Sequence, residues 1–487
     1  MYYVQVLQKE LDSTKAYIST SSTEIDIVKQ HIAKCETLKI TVDSLNQNQL
    51  PTMYWIPKLH KNPYKARFIA NSSSCSTTKL SKLITSCLTE IKNHVIRYCD
   101  KAYVNSGINM FWSIRNSSDI LNKLAKRNHL VSTVSTYDFS TLYTTLPHNL
   151  IKDRITKLVQ KTFAREKTVY IACNNDKAFF TDISYDRYTM WTCQDMCEAI
   201  HFLLDNIYIR FGDKLYRQVI GIPMGTNCAP LIADLFLYCY ESDFMLKLSK
   251  YNNNDDLIEA FNNTSRYLDD ILNLDNPHFD NHIADIYPTE LELKKTNNTV
   301  LEADFLDLTI KIDNGKVCTK IYDKRDDYNF DIVNFPHLDG DVPRATSYGV
   351  YISQLIRFAR GCSNVNDFSE RNFLLTNRLL QQGYRFHKLR KTFSKFYHRN
   401  SDTLNKYNTN LKTLLRSIAH PEFYGDLIYK LRKIINSASF STSFRKIIRS
   451  YIKRGYKHDI LQRTSCLVID PFTVGHYAFL FDCATTR

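Results

Sequence analysis

The sequence predicts an α+β protein, and two observations carry that expectation. Short runs rich in Val, Thr, Tyr and Ile alternate with helically spaced apolar residues through most of the chain, and from Ser347 onward helical patterning takes over alone. With 487 residues, 44% of them hydrophobic, the chain has material for one large core or two to three smaller ones.

The elements follow in order. Residues 1–49 place Val4, Leu7 and Leu11, then Ile25, Ile27, Val28 and Ile32, at helical spacing among polar neighbours, which reads as a helical lead-in. The stretch "PTMYWIPKLHKNPYKARFIANSS" (51–73) changes texture. Pro51, Pro57 and Pro63 forbid long helices, and Lys58, His60, Lys61, Lys65 and Arg67 crowd an extended segment ending in the strand-like Phe68 and Ile69. A basic loop before a strand suits phosphate binding. Residues 79–97 are helical by the spacing of Leu80, Leu83, Ile84, Cys87, Leu88, Ile91 and Val95. "LVSTVSTYDFSTLYTTLP" (130–147) favours a strand carrying Asp138 at its end, and Pro147 then starts a helix through Ile151, Ile155 and Val159. Residues 195–209 read as a helix, and 214–241 as a strand, a Gly/Pro loop and a strongly apolar helix. A hairpin is expected at "RYLDDILNL" (266–274), further short strands within 288–312, and helices from Ser347 to about His398 and on through the C-terminal end. No internal repeat is visible, and only 12 glycines argue against long flexible linkers.

The formal charge of +14 is concentrated. From Arg385 to Arg463 there are 19 Lys and Arg against 4 Asp and Glu, a net of +15 that leaves the remainder near neutral. These cations are interleaved with Tyr384, Phe386, Phe393, Phe396 and Tyr397, the composition an anionic polymer would bind, although solvated helix faces are the plainer alternative. The 13 cysteines form no CxxC pair or zinc-spaced cluster and read as free thiols in a reducing compartment. No secretory leader opens the chain and no apolar run is long enough to span a bilayer, so an intracellular protein is expected.

Asp269 and Asp270 raise the chemical question. Two adjacent like charges between apolar neighbours are either a polar turn or a site for divalent metal. If tertiary structure brings Asp138 to them, three carboxylates converge where none ionises cheaply without cations. Mg2+ takes hard oxygen ligands of this kind together with waters and phosphates, and two such ions can stabilise the attacking and leaving oxygens of a phosphoryl displacement.

Five segments in order, "YKARFIANSS", "YDFSTLYTTLP", "GIPMGTNCAP", "YLDD" and the pair "ELELKKT" with "FLDLTIKI", resemble the motifs of a reverse transcriptase, and specifically those of Penelope-like retroelements, the group related to telomerase. The resemblance spans residues 51–400. It implies a right-hand polymerase fold with fingers, a palm built on an antiparallel sheet, and a helical thumb. The expected organisation is a helical lead-in (1–50), fingers and palm (51–330), thumb (331–400) and a basic helical C-terminal region (401–487).

Carried over by residue, the resemblance implies that Asp138 and Asp269 bind two Mg2+ or Mn2+ ions, with the Phe139 carbonyl assisting and Asp270 completing the acidic site. Tyr143 takes the place of the bulky residue that excludes a 2′-hydroxyl. Lys65 and Arg67 bind the incoming triphosphate. Gly221, Pro223, Met224 and Gly225 shape the floor under the template and nascent base pair. Lys294 or Lys295 protonates the departing pyrophosphate. Met224 stands where many reverse transcriptases have Gln and fits the Penelope-like group, whereas "TNCAP" departs from the commoner Ser-rich continuation. Implied partners are an RNA template, a DNA primer and deoxynucleoside triphosphates, acting in the nucleus in DNA integration, with no membrane. Many relatives carry a GIY-YIG endonuclease; "SYGVYI" at 347–352 only echoes it, so a nicking partner is expected from elsewhere, and the chain reads as a fragment at both ends. Two other readings stay open: a retroelement-derived nucleic-acid-binding protein without catalysis, and a metal-dependent nuclease, which predicts neither Tyr143 nor the basic segment.

Overall fold

The computed structural model describes residues 2–418 apart from 14, 41–48, 59–64, 251–254, 329 and 331. His60, Lys61 and Pro63 of the basic segment, and most of the basic C-terminal region, lie outside the described residues. The chain divides at Phe330 into two compact units.

Within the first unit, a five-stranded sheet runs in the order β1 (Tyr17–Ser19), β9 (Lys214–Gln218), β8 (Tyr208–Phe211), β2 (Thr52–Lys58), β3 (Lys65–Asn71). The lead-in is therefore not all helix: β1 lies between α1 (Tyr2–Ser13) and α2 (Glu24–Thr37) and pairs with β9. The basic segment is a hairpin rather than a loop. Pro57 is tolerated in β2 because β2 meets β8 only at Thr52, so its outer half is an edge that needs no Pro N–H. The helix expected over 195–209 runs as α7 (Cys193–Asp205), opened by a Thr192–Asp195 capping box, and stops because Tyr208–Phe211 pairs with β9.

A second sheet has the order β10 (Thr264–Tyr267), β11 (Asp270–Leu274), β4 (Val134–Phe139), β12 (Leu293–Lys295), all antiparallel. A small antiparallel sheet in the order β6 (Ala178–Thr181), β5 (Tyr170–Cys173), β7 (Thr189–Trp191), with β5 central, has no counterpart in the sequence reading. The last sheet joins β13 (Glu302–Phe305), β14 (Leu308–Asp313) and β15 (Lys316–Ile321).

The main core of this unit gathers α3 (Thr78–Ser106), α6 (His148–Glu166), α7 and α8 (Ala229–Leu248) around the second sheet. Shorter helices complete it: α4 (Ser117–Lys126), α5 (Leu142–Thr145), α9 (Asp255–Asn262) and α10 (Phe279–Ile286). Pro147 caps α6, and α8 carries Pro230 in its first turn, where a missing N–H costs nothing. One face of the second sheet is dry: Tyr137 packs on Phe279 at 4.8 Å and Phe139 on Tyr287 at 4.9 Å, ring centre to ring centre.

The second unit is helical among the described residues, with α11 (Arg344–Gly361), α12 (Val365–Gln381), α13 (Phe386–Arg399), α14 (Ser401–Leu404) and α15 (Leu411–Ile418). Leu389, Phe393 and Phe396 face its core, while Arg385, Lys388, Arg390, Lys391, Lys395 and Arg399 are exposed on or beside α13. No helix among the described residues is long and apolar enough to cross a membrane.

The loop between β9 and α8 is clamped at two glycines. A Cβ on Gly221 (φ +82°) would lie 2.4 Å from the Tyr143 carbonyl oxygen, and one on Gly225 (φ +124°) 2.0 Å from that of Ala70. Both positions combine a backbone conformation that disfavours side chains with direct backbone contact. Gly225→Ala is therefore expected to lower stability by about 2 kcal/mol or more, read as a fall in the denaturant midpoint at unchanged m. A midpoint equal to that of the parent would contradict the clamp.

Candidate active site

Register builds the site. Asp270 pairs with Asp138, and Asp138 pairs on its other side with Lys294. Directly opposed residues in an antiparallel ladder project to the same face, so both acids and Lys294 share one face of the second sheet. Asp269 lies in the two-residue turn between β10 and β11, and its carbonyl accepts the Phe139 N–H at 3.1 Å, which carries the pairing past the end of β11. All three acids are half-buried.

Their electrostatics are those of crowded like charges. Burial first, then the charges of Asp269 and Asp138, push the Asp270 carboxyl up to about 7, with Lys324 acting the other way. Tyr143 belongs to the same neighbourhood: burial, then Asp269 and Asp234, push its phenol up to about 12.

Two lysines had been indistinguishable by sequence, and the sheet separates them. Lys294 stands in register with Asp138 and pairs with Glu292 at 3.0 Å. Lys295 projects to the opposite face, where its Nζ meets Asp280 at 3.0 Å and lies over the Tyr137 ring at 5.7 Å. A side chain committed there is turned away from the acids.

The glycine loop ties the acidic sheet to the basic hairpin. Ile222 N–H donates to the Tyr143 carbonyl at 2.7 Å and Gly221 N–H to that of Leu146 at 2.8 Å, while Ala70 N–H in β3 donates to the Met224 carbonyl at 2.9 Å. Ser72 also donates to the Gly225 carbonyl. Pro223 is buried, Met224 half-buried and Gly225 exposed. Lys65 and Arg67 are exposed and, two residues apart on β3, lie on one side of the hairpin with Lys58 and Ile56 opposite them.

The residue that sequence reasoning missed is Arg266. It is fully buried on β10 and projects to the packed face. Its Nε and Nη2 donate to Glu241 at 2.5 and 3.1 Å, its Nη1 to Asp234 Oδ1 at 2.8 Å, and the same Nη1 to the Leu268 carbonyl at 3.2 Å. Tyr287 donates to Glu241 at 2.9 Å, and Lys92 Nζ forms an ion pair with Asp234 Oδ2 at 2.6 Å. Burial works against ionised Asp234, but Arg266 and Lys92 outweigh it and hold its carboxyl below the usual range. The signal was available: Asp234 and Glu241, seven residues apart in a strongly apolar helix, must find cations where they are buried.

The donor set fits a hard divalent cation. Among the described residues no group of three or more His, Cys, Asp or Glu side chains is close enough together to hold a metal ion by itself. Two strand carboxylates and a turn carboxylate at an accessible sheet end are instead the partial, oxygen-only set that Mg2+ shares with waters and phosphates.

By fold, the chain is similar to the telomerase of Candida albicans in complex with a TWJ fragment of telomeric RNA, at 13% identity and a TM-score of 0.48, over 91% of this chain and 74% of that one. It is also similar to apo telomerase from Candida tropicalis, at 13% identity and a TM-score of 0.40, over 85% and 73%. A third similarity is to the Sicinivirus 3Dpol RNA-dependent RNA polymerase, at 13% identity and a TM-score of 0.39, over 73% and 67%. At these values the likenesses carry no argument about activity. No family model matches the chain, and no curated protein matches it in sequence.

The raised Asp270 carboxyl fixes a pH dependence for the metal-free protein. An Asp in the unfolded chain ionises near pH 4, whereas folded Asp270 ionises near 7. Between these values the native state holds a proton that the unfolded chain has released, so this group's contribution to stability falls as pH rises through that window. Metal-free protein is expected to lose several °C in Tm between pH 5 and 8, with about 2 °C per kcal/mol in a domain of this size. Asp270→Asn removes that part of the loss; an Asp270→Asn profile parallel to the parent's would contradict the crowding.

Proposed function

We propose that this chain is an RNA-directed DNA polymerase of the Penelope-like kind, extending a primer by metal-assisted nucleotidyl transfer. The observation that carries the reading is the register of the acidic sheet, with Asp138 opposite Asp270 and Asp269 in the adjoining turn. Asp138 and Asp269, helped by the Phe139 carbonyl and by Asp270, are the residues that would hold Mg2+ or Mn2+. When bound, such ions neutralise triphosphate charge and favour the ionised primer hydroxyl.

The chain's own groups supply the rest. Lys65 and Arg67 draw in the triphosphate, Arg67 with the geometry for two parallel hydrogen bonds. Tyr143, held beside Asp269, places an aromatic ring under the sugar and leaves no room for a 2′-oxygen. Met224 and Gly225, pinned to β3, and Gly221 and Pro223, pinned beside Tyr143, give the nascent base pair a floor that cannot shift independently of the acids. Lys294 delivers a proton to the departing pyrophosphate; Lys295, engaged with Asp280, does not. The exposed cations of α13 bind the template–primer backbone by charge, with affinity that falls as salt rises.

The test is primer extension by the purified chain on an RNA template with deoxynucleotides and Mg2+ or Mn2+. Asp269→Asn is expected to lower the rate by at least about a hundredfold, the scale of losing a charged group that acts in the transition state, while leaving template–primer binding intact. Extension retained in Asp269→Asn would overturn the assignment of the acids. A folded parent that binds template–primer and makes no product with either metal would instead favour a non-catalytic nucleic-acid-binding protein.

A further inference from the structure

We infer that Arg266 is a positioning residue for the acidic turn, acting through the Leu268 carbonyl to hold Asp269 in its metal-ready place before any metal arrives. The inference rests on the acidic site proposed above and assigns a role to a group that touches none of the reacting atoms.

Three observations converge on it. The turn Leu268–Asp269 is only two residues long, and Leu268 takes φ +53°. That region costs a non-glycine residue on the order of 1 kcal/mol, and it persists only where the surroundings enforce it. The enforcing contact is a hydrogen bond: Arg266 Nη1 donates to the Leu268 carbonyl at 3.2 Å, and this carbonyl belongs to the peptide that leads directly into Asp269. On the other side of the same residue, the Asp269 carbonyl accepts the Phe139 N–H at 3.1 Å. The backbone of Asp269 is thus fixed at its entering and leaving peptides, which sets where its side chain begins.

Arg266 is itself immobile. It has no exposed surface, both of its main-chain polar groups are bonded to the 112–114 segment, and its guanidinium is forked onto Glu241 and Asp234 in α8. Lys92 from α3 and Tyr287 next to α10 close the cluster. A lysine could satisfy the charge but not bond Glu241 through two nitrogens and reach Asp234 and Leu268 at once. The cost of ordering the acidic turn is met in the fold by a cluster on the opposite face of the sheet, which is where pre-organisation of a metal site has to come from.

Removing Arg266 alone leaves two buried acids, so the test uses variants that keep the interior balanced. Arg266→Met with Glu241→Met replaces one buried pair by apolar groups and leaves Asp234 with Lys92. Arg266→Lys keeps the charge and loses the fork. Mn2+ binding to the full chain is followed by the paramagnetic resonance of free ion, with melting as the check on folding. The expected result is Mn2+ affinity lowered about tenfold or more in whichever variant melts cooperatively, with Arg266→Lys unable to restore it. Affinity equal to the parent's in a folded variant would overturn the inference. A parent that binds no Mn2+ would instead overturn the proposed acidic site and leave no ion for Arg266 to serve. Hydrogen exchange on the metal-free parent gives a reading independent of any substitution. The Phe139 amide is expected to be protected to the level of α8, and rapid exchange there would contradict pre-organisation.

Discussion

A slip of one residue between β11 and β4 would turn Asp270 from the accessible face of the sheet to the face packed under α8 and α10, because side chains alternate along a strand. The acidic cluster depends on that register. The slip is opposed on the packed face, where Ile271 and Tyr137 are opposed in the ladder and Tyr137 meets Phe279, while Arg266 on the same face is locked to α8. The apolar and ionic contacts of one face thus place the acids on the other. The question raised by two adjacent aspartates has a structural answer: Asp270 belongs to the strand and Asp269 to the turn, so neighbours in sequence have different supports.

The two faces handle charge in opposite ways. On the packed face, Arg266 and Lys92 meet Asp234 and Glu241 in a cluster whose charges offset one another, with Tyr287 donating to one of the acids. On the accessible face, burial together with the charges of Asp269 and Asp138 pushes the Asp270 carboxyl up to about 7. Repulsion of this size would be a defect in a structural element. In the site proposed here it would be useful, since a bound cation would relieve it.

Much of this was legible in the chain. Long amphipathic segments such as α3 showed their period plainly, and the strand–acid–helix order around Asp138 follows from Val, Thr and Tyr before it and Pro147 after it. What escaped was short or tertiary. β1 and the strands β5, β6 and β7 are three or four residues each, too few to establish an alternation. Pro57 disguised β2 as loop because its edge position is a property of the sheet. Lys294 and Lys295 were equivalent until β12 acquired a partner, and Arg266 read as one more strand residue until α8 supplied its acids.

Asp138, Asp269 and Asp270 are proposed to act as one cation-binding acidic site for nucleotide chemistry. Its most direct test is the crystal structure of the chain with template–primer, a deoxynucleotide and Mn2+, with the ions located by their anomalous scattering. Mn2+ peaks are expected against Asp138 and Asp269, with Lys294 on the same side as the triphosphate and Lys295 still at Asp280. Mn2+ bound elsewhere, or a nucleotide seated away from the acidic face of the sheet, would contradict that expectation.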